Sequence, residues 1–135
     1  MRQSSSAAMA VVLVVVAVGL LGCSATPGAS IVAVRTRPPA PSGQQILCSV
    51  ALHVPFTLVG DPTADPPDWG VTRADARRFD IVWPAGFTAR FDPDLEILDP
   101  SGAVVARAGT ISDAGGTGDD QTVWICGIGG KTYTH

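Results

Sequence analysis

The sequence predicts an all-β domain, a small antiparallel barrel or a two-layer β-sheet, behind an N-terminal signal helix and a disordered tether. Three observations carry this reading. Apolar residues alternate with polar ones in several short runs, as a half-buried strand requires. Pro-Gly turn signals separate those runs. Only one stretch, residues 72–78, has a helix-start signal, and it is long enough for one or two turns.

The elements follow in chain order. Residues 1–6 carry Arg2 and the free amine, and residues 7–21 contain no charge. That is the profile of a signal peptide. A retained span is the less favoured alternative, because crossing about 30 Å of hydrocarbon takes about 20 apolar residues. Residues 24–43 hold Pro27, Pro38, Pro39 and Pro41 among small polar residues, a composition that disfavours a packed core and suits a tether. The apolar patch at residues 31–34 is the one reason to allow a short strand there. With the end of the signal set by the motif at residues 20–23, the expected organisation is a signal peptide at 1–22, Cys23 and a flexible tether at 23–43, and one β domain at 44–135.

Within the domain, Ile46, Cys48, Val50, Leu52 and Val54 share one face of a predicted strand. Phe79, Ile81 and Trp83 share a face of another, and Trp124, Cys126 and Ile128 of a third. Residues 61–68 read as a proline-rich loop with Asp61, Asp65 and Asp68 solvated. Residues 95–108 read as a hairpin, because Asp99-Pro100-Ser101-Gly102 places proline second and glycine fourth in a type I turn. Trp83-Pro84-Ala85-Gly86 has the same layout. Trp83 and Trp124 are expected in the core, and Trp69, in a loop, is the better exposed aromatic.

Leu20-Leu21-Gly22-Cys23 resembles the lipobox of bacterial lipoproteins. The resemblance implies cleavage between Gly22 and Cys23, a diacylglyceryl group on Cys23, and residence on the extracytoplasmic face of the cell membrane. The alternative is an ordinary secretory signal that happens to contain a cysteine. Two acyl chains hold a protein stably where one is marginal. The stretch from Val82 to Phe87, with Gly102-x-Val104-Val105-Ala106, is similar to small uncharacterised lipoproteins of high-GC Gram-positive bacteria. Some of those look like OB-type barrels, so the likeness implies a fold and no activity.

With Cys23 taken by lipid, Cys48 and Cys126 remain, and a disulfide between them is expected outside the cytoplasm. Two unpaired buried thiols are the alternative. Removing residues 1–22 leaves eight Lys and Arg against twelve Asp and Glu, a net charge of −4, which disfavours nucleic acid as a partner. Gly115-Gly116-Thr117-Gly118-Asp119-Asp120 resembles one calcium-binding nonapeptide repeat, but a single copy cannot stack and is expected to be a flexible loop dispensable for the fold. His53 and His135 are the only histidines. Ser49, four residues from His53, would lie roughly 13 Å off along a strand, too far for a direct hydrogen bond. No metal and no cofactor are expected. The residues point to a non-enzymatic binding module at the cell envelope, with an envelope protein or cell-wall ligand as partner. A small hydrolase with dispersed catalytic residues and a passive structural lipoprotein are the alternatives.

Overall fold

The computed structural model describes residues 29–39, 41, 48 and 54–133. The lipobox with Gly22 and Cys23, both histidines, Ser49 and most of the expected strand 46–54 lie outside the described residues. Cys48 and Val54, its described members, are not in a strand.

The fold is all-β, with two sheets facing one core. The first sheet has the order β1-β5-β6-β7: β1 is Ile31–Ala33, β5 Thr88–Phe91, β6 Leu95–Leu98 and β7 Val104–Arg107. The second, curled like half a barrel, has the order β11-β10-β4-β3-β2-β8, with β9 also paired to β10. Its strands are β2 Phe56–Gly60, β3 Asp68–Thr72, β4 Arg78–Val82, β8 Gly109–Ile111, β9 Gly115–Gly118, β10 Thr122–Ile128 and β11 Lys131–Thr132. Every pairing between strands is antiparallel except β4 with β10, where Asp80, Val82 and their neighbours run parallel to Thr122 through Trp124.

Alternation explains the core. Phe56 and Leu58 on β2, Phe79 and Ile81 on β4, and Val123 and Ile125 on β10 point inward and are almost fully buried. Ala89, Leu95 and Ile97 meet them from the first sheet. Phe56 and Phe79 meet edge to face, 5.3 Å between centroids. Opposite Phe79 the chain needs Gly70, since a Cβ there would stand 2.1 Å from the Phe79 ring. All four residues of β6 are buried. Glu96 can be among them because Arg90 and Arg107, on the two flanking strands, both reach its carboxylate, at 2.6 and 3.0 Å.

The hairpin β6-β7 has the expected turn. Gly102 N donates to Asp99 O at 2.9 Å, with Gly102 at φ 84°, and Asp99 Oδ1 accepts from the Ser101 and Ala103 amides.

Several expectations are corrected. The folded unit takes in part of the expected tether: β1 pairs with β5, and Arg35 and Arg37 bond the backbone of Trp83 at 2.8 and 3.0 Å. Residues 72–78 form no helix. They make a single turn in which Ala76 N donates to Thr72 O, and Ala76 at φ 54° closes it, because the chain must return for Arg77 O to accept from Thr72 N just before β4 begins at Arg78. Trp69 lies in β3 rather than a loop. Residues 115–118 are strand β9, not a flexible loop: glycines there let the chain lie against β10, where a Cβ on Gly116 would stand 2.4 Å from Trp124 O. Asp119 closes that hairpin by accepting from the Gln121 and Thr122 amides, each at 2.8 Å.

Candidate functional site: the outer face of the second sheet

The face of the second sheet turned away from the core is built from the residues that alternate with the core positions. Trp69 and Val71 come from β3, Arg78, Asp80 and Val82 from β4, and Trp124 from β10. Arg78 stacks its guanidinium over the Trp69 ring, 4.3 Å from the centroid. Arg35 crosses from the N-terminal segment to bind Asp80 at 2.6 Å. Trp124 stands beside Val82 in the register and is 41% exposed, which corrects its expected place in the core. The cause is parity: Val123 and Ile125 take the inward positions, and the irregularity between Ile125 and Gly127 then returns Ile128 to the core. Trp69 and Trp124 are two strands apart, about 10 Å in the pairing direction. Strand β4, with Asp80 and Val82 on this face, runs between them.

On β10, Cys126 is joined to Cys48 by a disulfide with Cα atoms 5.4 Å apart. Cys48 is exposed while Cys126 is buried, so the expected pairing is present but only one partner is covered.

Behind this face lies a buried polar pair: Trp83, expected in the core, and Asp68, expected in solvent. Asp68 is fully buried, and its Oδ2 accepts the Trp83 indole N–H at 2.7 Å. Among the described residues its Oδ1 has no hydrogen-bond partner. Burial pushes the carboxyl up to about 6, against the pull of the Trp83 N–H and the charge of Arg35, while Asp80 adds to the rise. Such a shift often marks a catalytic acid. A carboxyl with no exposed surface, however, cannot touch a substrate. Trp83 also stacks parallel to Phe87, 6.1 Å between centroids, and Phe87 meets Tyr133 edge to face. Asp68 and Trp83 therefore fasten β3 and β4 to the segment that pairs with Trp83. Of the other two aspartates expected in solvent, Asp65 is exposed and Asp61 holds a turn by accepting from the Thr63 amide and hydroxyl.

Among the described residues, no group of three or more His, Cys, Asp or Glu is placed to hold a metal ion. No protein-family model, curated protein or solved structure matches the chain.

Proposed function

We propose that the chain is an exported lipoprotein, held by Cys23 on the extracytoplasmic face of the membrane, whose β domain works as a non-enzymatic binding module. The observation that carries the binding half of this reading is Trp124, a large apolar side chain left 41% exposed within a strand whose flanking residues are buried. Exposing a tryptophan forgoes burial worth about 2–3 kcal/mol. Aromatic side chains set among charged neighbours are a common anchor of recognition surfaces. On the same face Arg78, Asp80 and Arg35 supply the charges, and Trp69 is a second aromatic. The anchoring half rests on the lipobox and on the uncharged run before it.

The expected ligand is a component of the envelope, a cell-wall polymer or an envelope protein. The test is co-sedimentation of the full-length chain with purified cell envelopes stripped of their own copy of this protein. Trp124→Ala should reduce the bound fraction with an unchanged melting temperature, since its side chain supports little of the core. Equal binding by wild type and Trp124→Ala would remove this face from the function.

A further inference from the structure

We propose that the cleft between β7 and β8 is a docking site for an extended peptide strand that carries an acidic side chain. It lies where the chain crosses from the first sheet to the second, and rests on observations separate from the Trp124 face. Among the described residues, β7 is the last strand of one sheet and β8 the last of the other. Between them opens a cleft of about 310 Å³ lined by Val104, Val105, Arg107 and Thr110 among others.

The ladders fix which backbone groups look into it, because in an antiparallel pair alternate residues turn both N–H and C=O away from the partner. Ala108 N donates to Leu95 O, so Arg107, opposite Glu96, turns its N–H and C=O away from β6. Asp99 N donates to Ala103 O, and Val104, next along and opposite Leu98, does the same. On the other wall, Asp61 N donates to Pro67 O, so Thr57 and Val59 bond β3 while Phe56 and Leu58 bond β8. Thr110, opposite Thr57, therefore turns its backbone groups outward. Three residues thus offer paired donors and acceptors at the edges of the two sheets, which an added strand satisfies.

Charge narrows the occupant. Among the described residues, Arg107 is the only charged side chain lining the cleft, and it shares the Glu96 carboxylate with Arg90. Two cations on one anion leave this cluster with a surplus positive charge, and its member at the cleft, Arg107, has a side chain 69% exposed. A peptide carboxylate complements it. A second copy of this chain would instead bring the same cationic rim against it. The half-buried Val104 and Val105 offer apolar contact for the alternate side chains of the guest.

The test uses the full-length chain in detergent micelles and a fluorescein-labelled hexapeptide, Thr-Val-Glu-Val-Thr-Val, read by fluorescence anisotropy. Saturable binding is expected. It should weaken at least about tenfold when alternate peptide nitrogens are methylated, and also with Arg107→Gln or with lysine in place of the peptide glutamate. Thr110→Pro removes an outward N–H while keeping the ladder to β2, and should weaken binding too. Should that proline unfold the domain, the methylated peptide and Arg107→Gln still decide. Absence of saturable binding, or equal binding by the methylated peptide, overturns the proposal. So does indifference to Arg107→Gln. A dimer in sedimentation velocity that Thr110→Pro dissociates would assign the cleft to a second copy and overturn it as well.

Discussion

The Trp83 indole N–H donates to Asp68 Oδ2 at 2.7 Å, and neither side chain has exposed surface. The pair joins the first residue of β3 to the residue just past the end of β4. Because Arg35 and Arg37 bond the Trp83 backbone, it also holds the segment that carries them against the second sheet. A buried carboxyl with one unpartnered oxygen is costly when ionised, and two predictions follow the proton and the donor.

The Asp68 carboxyl is raised to about 6 from 3.8. Between those values the folded state holds a proton that the unfolded state has released, so stability falls as pH rises through this window. At 1.36 kcal/mol per pKa unit, the loss is about 3 kcal/mol by neutral pH. Carboxyls held low by turn hydrogen bonds, such as Asp61, Asp99 and Asp119, act in the opposite sense and are common to both proteins compared. Asp68→Asn should therefore flatten the falling limb between pH 4 and pH 6.5 relative to wild type. Urea unfolding midpoints across that range read it, and superimposable profiles would refute the assignment.

Trp83→Phe removes the donor while keeping most of the ring packing. It should leave Asp68 without any side-chain partner and cost about 2–3 kcal/mol at neutral pH. The loss should shrink at pH 4, where the carboxyl is protonated. A pH-independent loss would mean that packing against Phe87 alone carries the effect.

Gly70→Ala should destabilise strongly, by about 3 kcal/mol, because the new methyl falls inside the Phe79 ring and the neighbouring strands must move. Adding Phe79→Leu should recover part of that loss although the second change is itself destabilising. Thermal unfolding of the two single variants and the double variant reads the coupling, and strictly additive losses would contradict it.

Cys126→Ser should lower stability by roughly 4 kcal/mol in the chain-entropy account, since the bond spans 78 residues of sequence. Alkylation without reductant should label no thiol at Cys48 or Cys126 in wild type. Labelling of both would contradict the bond.

Local chemistry made much of the fold legible. Phe79, Ile81 and Trp83 alternate cleanly, and the Asp99 to Gly102 turn carries its own proline and glycine, so β4 and the β6-β7 hairpin can be read from neighbouring residues. Strand β9 cannot, because Gly-Gly-Thr-Gly has no strand propensity and becomes a strand only by lying on β10. Trp124 misled for a related reason: period two gives two faces without saying which is inward, and the irregularity near Cys126 lets Ile128 share the core with Ile125. Asp68 reads as one of several loop aspartates until the fold brings Trp83, fifteen residues on, to its carboxylate. The disulfide was legible from compartment and count, whereas the exposure of Cys48 depends on tertiary contacts.

The central claim is the proposed membrane anchor, since the proposed binding surfaces could act on the envelope only from a domain held there. The most direct measurement is mass spectrometry of the N-terminal peptide of the protein isolated from membranes. The account predicts a peptide that begins at Cys23 and carries a diacylglyceryl thioether. A peptide that begins at Met1, that is cleaved at another bond, or that begins at an unmodified Cys23 would contradict it.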